Sequence, residues 1–288
     1  MPGRTILVAG ATGHVGSAIV HRLKAQGERV RALTRKPEQI TRLPADETVV
    51  GDIRNPEALI AACRGVDAVI SASGASLQLK LRPGAPTYTM VDEHGNGNLL
   101  AEAQRAGVQK FVYVSVYHTP AYADTVYVQA HTRFADRLQA SGMPYAVLEP
   151  TGLFYAFRVF LQFARLGIAP LIGGGTVRTN PMHEDDLAAL CVAALDGDNA
   201  VIPTGGPEVF TRRAIAEMAF EAVGKRPRFL PAPSAMIALN RFLVRPIDPR
   251  LSQLLHFFQR VNTADVVAPK LGTQRLADYF RTETTPTS

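Results

Sequence analysis

Short apolar runs alternate with helix-period stretches through the first half of the chain. TILVAG (5–10), ERVRAL (28–33), ETVVG (47–51), DAVIS (67–71), KFVYVS (110–115) and PYAVLEP (144–150) read as strands. Several are apolar throughout, the pattern of strands buried on both faces. Between them, Val15, Ala18, Ile19 and Leu23 share one helical face, and NLLAEAQRAG closes at Gly107. Strand–helix alternation predicts an α/β fold with a doubly wound parallel sheet over residues 1–150.

After Pro150 the texture changes. Residues 153–170 read as an apolar helix, LIGGG (171–175) as a turn, and TRRAIAEMAFEAVG (211–224) as an amphipathic helix. Prolines 227, 231, 233, 246 and 249 break the stretch beyond it. Residues 151–288 are expected to form a smaller C-terminal lobe over the strand ends, part of it returning to the main sheet. The tail TETTPTS (282–288) is expected to be disordered.

GATGHVG (10–16) follows the first strand and opens a helix, the context that gives a glycine triplet meaning. Gly10 permits the tight turn, Gly13 lets backbone approach a pyrophosphate, and Gly16 lets helix pack on strand. Thr12, His14 and Val15 complete the turn that faces the phosphates at the helix N-terminus. A dinucleotide is the expected cofactor. An NAD site carries an acid at the end of the second strand, but RALTRK has none. Arg35, followed by Lys36, suits a 2′-phosphate, so NADP(H) is favoured over NAD(H). Asp52, with Ile53 beside it, is placed to meet adenine or to make a turn. Ser71, Ala72 and Ser73 follow the fourth strand under the cofactor ribose.

The formal charge of +6 does not redirect this picture, because the Lys and Arg are scattered. A nucleic-acid partner would want them clustered. Two cysteines, Cys63 and Cys191, give no disulfide or metal pattern, and the seven His lack paired-ligand spacing, so no metal is expected. No signal peptide or membrane span is legible, and a reduced, cytoplasmic setting is the expectation.

GATGHVG, RALTR, GDIRNPEAL, VDEHGNGNLLAEAQRAGVQKFVYVS and SGMPYAVLEPTGLF together resemble the atypical and extended short-chain dehydrogenases/reductases, within them the NmrA-like branch of NAD(P)-binding proteins. The resemblance spans roughly residues 4–220. It implies a Rossmann-type core with a substrate lobe, and a chemistry in which a Ser and a Tyr, with a Lys four residues later, accompany hydride transfer. Ser115 matches the Ser. Tyr127 lies twelve residues later, and the Lys position holds His131. An imidazole, with a pKa of about 6.5, can bind the ribose or move a proton, or it can be a buried, hydrogen-bonded side chain in a chain that binds without turnover. Pro150, Thr151 and Gly152 match the family's segment beside the nicotinamide. Tyr113, Tyr117, His118 and Tyr122 rival Tyr127 near the substrate. Tyr117, Phe154 and Tyr155 are candidate pocket walls, and His183 in NPMHEDDLA is a candidate for the substrate cleft.

Three functions are compatible with these residues. The first is an NADPH-dependent oxidoreductase acting on a small carbonyl, quinone or activated alkene. The second is a non-catalytic redox sensor of the NADP(H) ratio, suggested by the missing Lys. The third is an epimerase or dehydratase with tightly held cofactor, against which His131 counts. Residues 232–260 pack within the lobe, line a pocket, or form a homodimer contact; Pro246 and Pro249 interrupt any membrane-surface helix.

Overall fold

The computed structural model describes residues 3–35, 37–38 and 43–285. The six expected strands are β1 (Thr5–Ala9), β2 (Arg29–Thr34), β3 (Glu47–Val50), β4 (Ala68–Ser71), β5 (Lys110–Val114) and β6 (Tyr145–Pro150). A seventh, β9 (Ala200–Thr204), joins them from the second half of the chain. All pair in parallel, in the order β3-β2-β1-β4-β5-β6-β9.

The strands are apolar throughout because both faces are covered. Ile6 and Val8 point to α1 (His14–Ala25) and α6 (Glu184–Ala193), packing with Ile19, Leu23, Leu187 and Cys191. Leu7 and Ala9 point the other way, toward α2 (Pro56–Cys63), α3 (Asn96–Arg105) and α4 (Val126–Gln139), among Leu59, Leu99, Phe134 and Leu138. Period-two alternation within an all-apolar run thus feeds two cores at once.

The chain leaves this core after β6, forms α5 (Phe154–Leu166), β7 (Ala169–Leu171) and β8 (Arg178–Thr179), and returns for α6 and β9. It leaves again through β10 (Phe210–Thr211), α7 (Arg212–Val223), β11 (Phe229–Pro231), α8 (Ser234–Val244), α9 (Pro249–Val261) and α10 (Leu276–Thr284). Phe154, Phe157, Leu161, Ile215, Phe220, Leu276 and Phe280 form the lobe's own core.

The tail departs from expectation. Thr282, Glu283 and Thr284 continue α10, because Phe280 is buried in the lobe and Glu283 is held by Arg158 and Arg165. Residues 286–288 lie outside the described part. Of residues 232–260, α8 buries nothing, whereas α9 packs Leu251 and Leu254 with Tyr127 of α4. At the start of α9, the buried Arg250 donates to the carbonyls of Ser76, Gln78 and Lys80 and pairs with Asp248. That clamp fixes the loop after β4. Among the described residues, no helix is long and apolar enough to cross a membrane.

Candidate active site

A cleft of about 200 Å³ opens at the C-terminal ends of β1, β2 and β4, lined by Gly10, Thr12, Gly13, Arg35, Asp52, Ile53, Ala72 and Ser73 among others. Eight of the residues expected to hold a dinucleotide therefore face one hollow. Parallel sheets bind ligands at this end. A larger hollow of about 710 Å³, lined by Arg4, Asp67, Lys110 and Asn199, lies at the opposite end, where the strands begin. Its position carries no dinucleotide chemistry.

The glycine turn has the shape of a phosphate cradle. Gly10 has φ 78°, and a Cβ there would stand 2.7 Å from the Ala72 carbonyl oxygen. At Gly16 a Cβ would run into the Gly10 carbonyl, so Gly16 and the buried Val15 set the helix against the strand rather than touching the hollow. Gly13 is the N-cap of α1, without a side-chain cap, and no acid occupies the first turn. The first amides of α1 keep their protons for a ligand, and the helix dipole favours an anion there. These residues fit a pyrophosphate.

Around the cradle, Arg35 is exposed, and Lys36 lies outside the described residues. Asp52 is fastened by Arg54, whose Nη2 donates at 2.7 Å and whose amide donates at 2.9 Å. Burial raises the Asp52 pKa, but the hydrogen bonds from Arg54 outweigh it and hold the carboxyl below its usual range. Ser71 does not line the hollow. Its hydroxyl donates to Asn96 Oδ1 at 2.6 Å, and Asn96 Nδ2 donates to the carbonyls of Ser73 and Asp92. Asn96 closes a π-helical turn, Thr89–Gly95, and so ties that turn to the end of β4. His14 stacks on Tyr155 at 4.3 Å between ring centroids, bringing the lobe down onto the cradle.

The catalytic candidates lie farther along the sheet edge. Ser115 is buried just past β5. Tyr127 and His131 stand one turn apart on α4, their rings edge to face at 4.8 Å. Both imidazole nitrogens face protein. Nδ1 meets the Tyr113 hydroxyl at 2.6 Å, and Nε2 stands 3.2 Å from Asp92 Oδ1, misaligned for a hydrogen bond. The ring is 5% exposed, so it braces β5, α4 and the π-helical turn rather than offering a nitrogen to the hollow. Tyr127 packs against Tyr88 and Phe257, and its hydroxyl has no hydrogen-bond partner among the described residues. Burial and then the Asp92 carboxylate push its pKa well above the ordinary phenol value. Tyr113 is raised in the same way, by burial first.

Other candidates are placed by packing. Thr151 is buried; its amide donates to Thr204 and its hydroxyl to the Asn180 carbonyl. Gly152 accepts the Met182 amide, and the Pro150 carbonyl accepts the Tyr117 amide. Phe154 is 1% exposed inside the lobe core, so it packs rather than walls a pocket. His183 caps α6, its Nδ1 accepting the Asp185 amide at 3.1 Å, and its ring packs on Phe154 and Tyr279. That capping occupies Nδ1, and Nε2 stands 3.9 Å from Glu184 Oε2. Among the described residues, no three His, Cys, Asp or Glu side chains assemble as metal ligands.

A family model described as NAD(P)H-binding matches residues 10–198, about two thirds of the chain, and encloses both the cradle and the Tyr127 cluster. The chain belongs to this NAD(P)H-binding family. The result agrees with the resemblance drawn from its motifs. Divinyl chlorophyllide a 8-vinyl-reductase of Zea mays is 27% identical over an alignment of 258 residues that covers 80% of this chain and only 62% of the maize protein. Photosystem II assembly factor Ycf39 of Synechocystis is also 27% identical, over 83% of this chain and 74% of its own. Among solved structures, the NADPH-dependent quinone oxidoreductase of Escherichia coli complexed with NADPH superposes with a TM-score of 0.77 at 20% identity, covering 97% of this chain and all of the other. That likeness establishes a shared Rossmann-type fold.

Four buried or half-buried polar residues escape motif reading. Asp92 and Asn96 fall inside VDEHGNGN, whose pattern assigns them no role. Glu149 reads as part of a strand and Arg212 as a helix start. Glu149 is half-buried in β6, and burial raises its pKa even though His118 and His131 oppose the shift. A raised acid costs stability once charged: the penalty is absent below the ordinary glutamate pKa and grows as pH rises through the folded value. Glu149→Gln is therefore expected to melt higher than wild type at pH 8 and equally at pH 4. Equal melting temperatures at both pH values would remove the burial argument.

Proposed function

We propose that the protein is an NADPH-dependent oxidoreductase that reduces a small carbonyl, quinone or activated alkene, with Tyr127 as proton donor. The observation that carries this reading is the Tyr127 hydroxyl. It is unpartnered, and it is kept protonated by burial and Asp92. A phenol held in that state carries the proton a reduction needs and cannot act as the base an oxidation needs; the raised pKa also makes it a weak acid, so slow turnover is expected. The amides of residues 14–16 would hold the pyrophosphate, Arg35 the 2′-phosphate, Asp52 and Ile53 the adenine, and Ala72, Ser73 and residues 150–152 the ribose and nicotinamide side. When bound, the reduced nicotinamide supplies a hydride. Ser115 would orient the acceptor oxygen beside Tyr127, and the proton lost from Tyr127 is restored from water.

A second reading rests on a specific feature. The lysine position holds His131, whose Nδ1 is taken by the Tyr113 hydroxyl and whose Nε2 faces the Asp92 carboxylate. With no cation to lower the Tyr127 pKa, the chain can bind NADP(H) and report its redox state without turnover. Purified protein with NADPH and a panel of quinones, enones and aldehydes separates the two: consumption of reduced nicotinamide supports the reductase, and tight NADPH binding with no consumption supports the sensor.

Cofactor choice has its own test. Arg35→Ala is expected to weaken NADPH by roughly ten- to a hundredfold, the worth of a charge-assisted contact, and NADH little. Equal losses for the two would move the preference away from Arg35.

A further inference from the structure

We propose that Arg212 anchors an anionic substrate, a carboxylate or similarly planar oxyanion carried by the molecule that is reduced. The inference rests on the reductase reading and names its substrate class. Arg212 is the first residue of α7 and is 9% exposed. Among the described residues its guanidinium has no ion pair and no hydrogen bond, and its Nε is sealed from solvent without a partner. The guanidinium carbon lies over the Phe157 ring, 5.1 Å from the ring centroid. Burial without a counter-ion pulls its pKa down to about 10, and Tyr122 is the group that acts electrostatically against this.

The contrast with Arg250 is direct. That buried arginine is met by three carbonyls and a carboxylate supplied by the fold. Arg212 is buried and left unmet. A desolvated guanidinium is costly unless it is paired, and a cation–π contact repays only part of the cost. Glu149 and Arg212 both act on Tyr122, yet they do not pair with each other. Arg212 and Gly152 approach the same Phe157 ring. The Phe157 ring edge lies 3.1 Å from where a Cβ on Gly152 would stand, so Arg212 stands behind the residues expected beside the nicotinamide. Tyr122 donates to the Tyr117 carbonyl on the loop after β5, which brings that loop to the same place. A planar guanidinium takes a carboxylate through two parallel hydrogen bonds.

The test uses full-length protein loaded with NADPH and titrated calorimetrically with benzoate, cinnamate and pyruvate, each beside its methyl ester. At least one acid is expected to bind in preference to its ester. Arg212→Met is expected to weaken that binding by about tenfold or more, as loss of a charge-assisted contact does, with NADPH affinity unchanged. Without ligand, Arg212→Met should melt at or above wild type, because it removes an unpaired buried charge. Arg212→Lys should retain part of the preference. The proposal is overturned if no acid binds better than its ester, if Arg212→Met binds the acid like wild type, or if Arg212→Met melts well below wild type. Acid binding that depends on Arg212 in a protein that never consumes NADPH would sink the reductase reading and leave the anchor standing.

Discussion

Replacing Gly13 with aspartate is expected to destroy NADPH binding while changing the stability of the fold far less, the gain of an N-cap offsetting a tight contact with the Gly10 carbonyl. The backbone at Gly13 has φ −78° and ψ 169°, which any residue adopts, and an added Cβ would meet only the Gly10 carbonyl, at 3.3 Å. Aspartate is among the best N-cap residues, worth a few tenths of a kcal/mol over glycine. Its carboxylate would bond the first amides of α1 itself. Those amides are the proposed seat of the pyrophosphate, and the new charge would repel whatever anion approached. Losing the amides and adding a like charge should cost roughly a hundredfold or more in affinity. The measurements are calorimetric titration with NADPH and thermal melting of the free protein. NADPH binding that survives in Gly13→Asp would place the phosphates elsewhere. Gly16 cannot make this separation, because any side chain there strikes the Gly10 carbonyl and disturbs the fold as well.

The second large effect is expected at Tyr127. Tyr127→Phe removes one oxygen that has no hydrogen-bond partner among the described residues, so melting temperature and NADPH affinity should stay close to wild type. Turnover should fall by about 10²–10⁴, the usual worth of a positioned proton donor. KM for the acceptor should change less than kcat, since the proton moves only in the transition state. Undiminished turnover in Tyr127→Phe would pass the role to Tyr117, Tyr122 or His118 on the neighbouring loop. His131→Ala gives a different signature. It leaves the buried Tyr113 hydroxyl without its hydrogen-bond partner and opens a cavity beside Asp92, so stability falls along with activity.

The cofactor half of the site was legible because its chemistry is local. Gly10, Gly13 and Gly16 lie in seven residues, and each answers a backbone requirement that sequence displays. The sheet was legible for a related reason: strands covered on both faces are apolar at every position. The substrate half draws on residues far apart in the chain. Asp92, Tyr113 and His131 come from a π-helical turn, a strand and a helix. Nothing in the spacing of one shows that the others close around it, so the sequence left the imidazole open between a ribose ligand, a proton carrier and a buried, hydrogen-bonded side chain. Arg212 opens an ordinary amphipathic helix, and its lack of a partner is a fact of three-dimensional packing alone. His183 shows the opposite case: its neighbourhood reads as a site, and the same position also starts a helix, which its Nδ1 caps.

The route of the chain limits how such proteins can be altered or inherited. The lobe is not one continuous piece appended to the core: α6 and β9 interrupt it to complete the sheet. Cutting after Pro150 would strip β6 of its outer neighbour and bare the face of α1 that α6 covers. Exchange of the lobe between relatives, in the laboratory or by recombination, therefore needs three junctions, near residues 150, 180 and 204, chosen together. A new substrate preference is more readily reached by point changes on the loop after β5 and at the start of α7 than by transplanting a module.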